Sequence, residues 1–138
     1  MISQHDIEIA TQGRGTYDLS RDVQRVVRDS GIRSGLCHVF IRHTSASLML
    51  CENADPSVMT DLETFMSRHV PDGDPMFTHT AEGPDDMPAH IKASLLGTSL
   101  SVPVSDGQLA LGTWQGIYLC EFRNRASGRS VVITVNGE

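Results

Sequence analysis

The apolar positions of this chain change period several times, and each change marks an element. In "HDIEIAT", Ile7 and Ile9 alternate with polar neighbours, which is the two-residue period of a half-buried strand. "DLSRDVQRVVRDSG" shifts to helical spacing. Leu19, Val23, Val26 and Val27 share one stripe, and Gly31 stands where a helix can end at positive φ, so a helix is predicted from about Ser20 to Ser30. "GLCHVFIRHTS" returns to period two and predicts a strand ending near His43, and "SLMLCEN" predicts a second, short one. Asp55 and Pro56 form an N-cap and first-turn pair, after which Val58, Leu62, Phe65 and Met66 carry a second helix to about His69. "VPDGDPMF" breaks that helix, "HTAEGPDDMPAHIK" reads as irregular chain as far as Pro88, and "PAHIKASLLG" predicts a short helix closed by Gly97.

The last third contains strand-like runs, "TSLSVPVSDGQLALGTW", "GIYLCEFRN" and "SVVITVNGE", punctuated by the turn signals "SDG" and "ASGR". Helices early and hairpins late predict an α+β fold, one domain over residues 1–138, with an antiparallel C-terminal sheet covered by the second helix. The chain is too short for a (β/α)₈ barrel and has no glycine-rich nucleotide-binding motif.

Composition narrows the function classes. A hydrophobic fraction of 39% and a charged fraction of 20% suit one globular core. The net charge of -6 argues against a nucleic-acid partner, since phosphate binding needs a basic face and only Arg123, Arg125 and Arg129 are grouped. The N-terminal stretch lacks the basic-then-apolar pattern of a signal peptide, and no run is long enough to span a bilayer, so a soluble cytoplasmic protein without a membrane partner is expected. Cys37, Cys51 and Cys120 are unpaired by spacing and sit in apolar runs, which predicts reduced, packed thiols.

Polar chemistry concentrates in "RHTSASLMLCENADP" and "HTAEGPDDMPAHIK". His43, His79 and His90 end a strand, enter a loop and start a helix. Three imidazoles with one open position form a catalytic zinc geometry, although without HExxH spacing each also has a local hydrogen-bonding reading. Asp85 and Asp86 read as helix caps, and Glu52 as a functional carboxylate because no turn geometry there demands a glutamate. Trp114 and Gln115, between Gly112 and Gly116, read as a packed turn or a pocket wall. Glu121 and Arg123 fall on one strand face, as a surface ion pair or, on an internal face, with the arginine fork set for phosphate.

The stretches "HTSASLMLCENADPSVMTDLETFMSRHVPDGD", "HTAEGPDDMPAHIKASLLG" and "LALGTWQGIYLCEFR" resemble the YjbQ family (UPF0047), also called secondary thiamine-phosphate synthase enzymes, from about Gly35 to the C-terminus. The resemblance implies a small trimeric α+β fold. It also implies a weak capacity to join hydroxymethylpyrimidine diphosphate to a thiazole phosphate with release of diphosphate. It implies a metal held by His43, His79 and His90. From the residues themselves, that metal is expected to be a divalent ion, zinc or magnesium, with Glu52 and Glu82 as partners or base and Arg123 receiving an anionic group of a phosphorylated small-molecule substrate. Two alternatives stand beside this transferase: a metal-dependent hydrolase or phosphatase, and a non-catalytic metal- or ligand-binding protein.

Overall fold

The computed structural model describes residues 1–138, with the side chains of Ala126 and Ser127 left aside. In chain order the elements are β1 (Ile2–Gln12), β2 (Gly15–Asp18), α1 (Ser20–Ser30), β3 (Ser34–Ile41), β4 (Ala46–Glu52), α2 (Pro56–His69), α3 (Asp86–Leu96), β5 (Ser99–Ser105), β6 (Gln108–Leu109), β7 (Gln115–Glu121) and β8 (Ala126–Gly137). The strands form two antiparallel sheets, one ordered β1-β8-β3-β5-β6 and the other β2-β7-β4.

Local chemistry accounts for the boundaries that the sequence predicts. Gly31 ends α1 at φ 73, its N–H donating to the Arg28 carbonyl, a conformation open to glycine without steric cost. Asp55 caps α2 by accepting the Ser57 N–H at 2.9 Å, and Pro56 fills a first-turn position where no N–H is needed. The "SDG" signal is a two-residue hairpin loop: Asp106 (φ 53) and Gly107 (φ 76) join Ser105 to its partner Gln108, and two successive positive φ angles define the type I′ turn.

One core lies between the sheets. α1 contributes Val23, Val26 and Val27. They pack with Cys37, Val39 and Ile41 of β3, Ile117 and Leu119 of β7, and Val131, Ile133 and Val135 of β8. A smaller cluster forms on the other face of β2-β7-β4, where Ala89 and Ala93 of α3 meet Cys120 and Phe122. No helix among the described residues is long and apolar enough to cross a membrane.

Three sequence expectations are corrected. The second helix does not cover a C-terminal sheet: α2 buries none of its residues, and Phe65 is 56% exposed. The covering position belongs to α3, whose alanines allow close approach to the sheet. The C-terminal strands are also divided, β5, β6 and β8 in the large sheet and β7 in the small one. "ASGR" lies inside β8, and the chain turns earlier, over residues 122–125, where the Asn124 N–H is tied to Asp85 Oδ2 at 2.9 Å. Finally, α3 begins at Asp86 rather than Pro88. Pro88 is accommodated in the first turn, whose N–H groups have no intrahelical acceptor.

Candidate metal centre

The first turn of α3, the loop before it, the turn after β7 and the chain between β3 and β4 converge on Asp86. This carboxylate is 1% exposed as a residue, and its Oδ2 lies 2.6 Å from His79 Nε2 and 3.0 Å from His90 Nε2. The two imidazoles stand 5.4 Å apart, centroid to centroid, at 57°. His79, Asp86 and His90 are the one group of potential metal ligands that converges among the described residues.

The protonation pattern sets what this arrangement can do. His90 Nδ1 lies 2.9 Å from the carbonyl oxygen of Thr44, which can only accept, so Nδ1 carries a proton. In a neutral imidazole the other nitrogen, Nε2, then presents a lone pair, and here it faces the Asp86 carboxylate. Two lone pairs pointing at each other repel. Either Nε2 is also protonated or a cation sits between them. The backbone contact that fixes the tautomer is the arrangement usual behind a metal-bound histidine.

Arginine completes the electrostatics. Arg123 Nε donates to Asp85 Oδ2 at 3.0 Å, Nη1 donates to Asp86 Oδ1, and Nη2 donates to the Glu82 carbonyl at 2.9 Å. Burial pushes the Asp86 carboxyl pKa up, but the hydrogen bond to His79 and the nearby His90 and Arg123 charges outweigh it and hold the group below its ordinary range. Asp85 behaves likewise: burial raises it, and the Asn124 N–H and Arg123 more than compensate. Both carboxylates are therefore ionised in the fold.

The sequence-predicted residues separate accordingly. His79 and His90 meet, whereas His43 is not part of the group. Its Nε2 accepts the Ser130 N–H at 2.8 Å, and Asp86 takes the third place. The His43-Thr44 motif still reaches the site, through the Thr44 carbonyl. Glu52 is not at this site: its Oε2 accepts the Asp55 N–H at 2.9 Å, the turn function that its sequence context did not reveal. Glu82 is exposed and meets Arg123 through its backbone. Arg123 is engaged mainly with Asp85 and Asp86, leaving two of its five N–H groups for an external anion. Glu121, expected beside Arg123, pairs instead with Arg129 in the interior. Neither Asp85 nor Asp86 caps α3 with its side chain. The missed signal was the four-residue spacing of Asp86 and His90, which becomes one helix face once α3 starts at Asp86. Two hollows flank the site: one is lined by Phe77, His79, Pro84 and Met87, the other by Gly83, Asp85, Arg123 and Arg125.

Comparison with known proteins places the chain. The family model described as "UPF0047 protein YjbQ-like" matches residues 5–138, farther toward the N-terminus than the quoted motifs. A UPF0047 protein of Synechocystis sp. is 49% identical over 135 residues, 98% of this chain and 92% of that protein. The UPF0047 protein YjbQ of Escherichia coli is 43% identical over 139 residues, covering 100% of both. Among solved structures, a YbjQ-like protein of unknown function from Sulfolobus solfataricus superposes with TM-score 0.90 at 27% identity, over 100% of this chain and 99% of that one. A yjbq/upf0047 family protein from Clostridium acetobutylicum gives TM-score 0.87 at 34% identity, over 96% and 99%. With the same architecture and a full-length match in sequence, this chain belongs to the UPF0047 (YjbQ-like) family.

Proposed function

We propose that the His79–Asp86–His90 group binds a divalent metal and that the metal serves a reaction on a phosphorylated small molecule. The observation that supports this is the single Asp86 oxygen shared by two imidazole nitrogens, one of which has its proton committed to the opposite side of the ring. Two nitrogen donors and one carboxylate suit zinc or another transition metal better than magnesium, which prefers oxygen ligands and retains water. Three protein ligands leave a position for substrate, where such an ion would stabilise charge developing on a phosphoryl or leaving oxygen.

The chain's own groups supply the rest. Arg123 holds Asp85 and Asp86 ionised and oriented, Arg125 and the remaining Arg123 N–H groups face the polar hollow where a phosphate can lie, and the apolar hollow beside His79 suits an aromatic or aliphatic body. The transferase reading, thiamine-phosphate synthesis with loss of diphosphate, fits a site with these two compartments. A metal-dependent phosphatase, with Glu82 as base, is the second reading, favoured by the exposure of His79 and Glu82. A homotrimer is part of the proposal, since it would enclose hollows that a single chain leaves open.

The test is metal content after chelator-free purification, compared between the wild type and folded His79→Ala, His90→Ala and Asp86→Asn variants, with thiamine-phosphate formation and phosphate-ester hydrolysis assayed in parallel. Stoichiometric metal in the wild type and its loss in the variants is expected. Full metal retention in Asp86→Asn and His90→Ala would refute the site. Loss of metal with synthesis intact would detach the transferase from it.

A further inference from the structure

Four of the eleven lysines and arginines of this net-acidic chain lie in "RDVQRVVRDSGIR", residues 21–33. Arg21, Arg25 and Arg28 recur at helical spacing along the exposed stripe of α1, a row about 10 Å long at 1.5 Å per residue, while Val23, Val26 and Val27 face the core. Arg33 follows after the chain has turned at Gly31. Carboxylate neighbours hold these groups loosely. Arg25 Nη2 donates to Asp22 at 2.8 Å, but Arg28 stands 3.8 Å from Asp29 and Arg33 3.6 Å from Asp106, and exposed pairs of that kind contribute little. Arg21 has no ion pair or side-chain hydrogen bond among the described residues.

The guanidinium groups border two contiguous hollows between α1 and the β5–β6 hairpin. One, of about 480 Å³, is lined by Arg21, Arg25 and Arg28, with the half-buried Leu109 and Leu111 as its apolar part. The other, of about 440 Å³, is lined by Arg28, Arg33, Ile32 and Gly107, and Gln24 and Arg28 belong to both. Hydrogen bonds fix the wall. Gln24 Oε1 accepts the Leu109 N–H at 2.9 Å, Gln24 Nε2 donates to the Gly107 carbonyl at 3.3 Å, and the Gly107 N–H donates to the Arg33 carbonyl at 3.0 Å. Because Gln24 takes that N–H of the edge strand β6, the groove offers no free ladder to an extended peptide. The charged groups left to a ligand are guanidinium donors, against Asp106 as the one carboxylate of the lining.

We propose that this groove binds a linear oligophosphate, free or as the tail of a nucleotide, with Arg21, Arg25, Arg28 and Arg33 donating to successive phosphates. A guanidinium fork meets phosphate oxygens in pairs, and a row of forks matches a row of phosphates, whereas a single orthophosphate engages only part of it. The leucines keep water from one side of the contacts, which strengthens each of them. The groove shares no residue with the His79–Asp86–His90 group or with the two hollows beside it, so it is a second anion site, separate from the proposed metal centre.

The experiment is titration of isotope-labelled full-length protein with orthophosphate, diphosphate, tripolyphosphate and ATP at low ionic strength, read by calorimetry and by backbone amide shifts. Affinity is expected to rise roughly tenfold or more from orthophosphate to tripolyphosphate, with shifts in residues 21–33 and 107–111, and to fall as salt is added. Arg21→Gln and Arg28→Gln, both at exposed positions, should each lose roughly tenfold or more, and Arg28→Lys should recover only part of that loss, since it restores the charge without the fork. Tighter binding of ATP than of tripolyphosphate identifies a nucleotide as the source of the phosphates, and binding no tighter identifies the free chain. Equal affinity for orthophosphate and tripolyphosphate, unchanged affinity in both glutamine variants, or preference for a single-stranded oligonucleotide would overturn the proposal. Shifts confined to residues 79–90 and 123–125, and lost in Arg123→Gln, would place the anion beside the metal centre instead, overturning this site while leaving the metal reading intact.

Discussion

At the scale of single residues, the interior ion pair has the clearest consequences. Glu121 is 1% exposed and accepts from Arg129 Nε at 2.7 Å, from Arg129 Nη2 and from the Thr11 hydroxyl at 2.7 Å. Removing one partner strands the other charge, so Arg129→Met should destabilise by about 3–5 kcal/mol in urea unfolding, whereas replacing both residues by apolar ones of similar volume should recover most of that loss. Burial raises the Glu121 pKa, but Arg129 and Thr11 outweigh it, and the folded value lies below the ordinary 4.5. A depressed acid contributes stability in full above pH 4.5 and loses it as pH falls through the folded value, so the acid limb of the stability profile should flatten in Glu121→Gln. Lys92 acts in an alkaline window, and there its charged form costs stability rather than contributing it. Its folded value is below 10.5, so between the two values the unfolded chain binds more protons and stability should rise with pH. Lys92→Met should abolish that rise and leave the protein as stable at neutral pH, or more stable by up to about 4 kcal/mol, by chemical denaturation.

At the scale of elements, burial separates helices whose sequence signals are equally clear. α1 places Val23, Val26 and Val27 in the core, while α2 depends on its cap and its own backbone. Amides of α2 should therefore exchange with solvent well before those of α1 or β8 in native-state hydrogen exchange, and Asp55→Ala, which removes the cap, should accelerate α2 further with little effect on global unfolding. Equal protection of α1 and α2 would contradict this. The β3–β8 crossing is constrained differently. Gly35 faces Gly137 across the register, and a Cβ on Gly35 would stand 2.0 Å from the Asn136 carbonyl oxygen. Gly35→Ala should then cost about 1–3 kcal/mol by overpacking, read as a lower midpoint in thermal or urea unfolding.

At the scale of the whole molecule, the outer face of the five-stranded sheet exposes Ile2, Leu36 and Phe40, with Leu36 47% and Phe40 41% exposed. The proposed homotrimer is expected to appear as three times 15.1 kDa in sedimentation equilibrium at micromolar concentration, and Leu36→Asp with Phe40→Asp should yield a monomer if this face is the contact. A monomer mass for the wild type would remove the trimer from the proposal.

Most strands, α1, α2 with both its ends, and the "SDG" hairpin were legible in the chain because period, caps and turn residues act within a few positions of each other, whereas β2 (Gly15–Asp18) and the start of β8 were not read from it. The family was legible through long contiguous motifs. What the sequence alone could not decide was assignment at a distance. Whether β7 joins β4 or β8 and whether α2 or α3 packs on the sheet depend on contacts between residues far apart in the chain. His79 and His90 were visible as candidates from their own loop. Asp86 was hidden because its four-residue spacing to His90 becomes one helix face only when the helix starts at Asp86, and the orientation of His43 is set by Ser130, 87 positions away, whose N–H its ring nitrogen accepts. Local chemistry specifies the elements, and packing between them determines which polar groups are left facing one another.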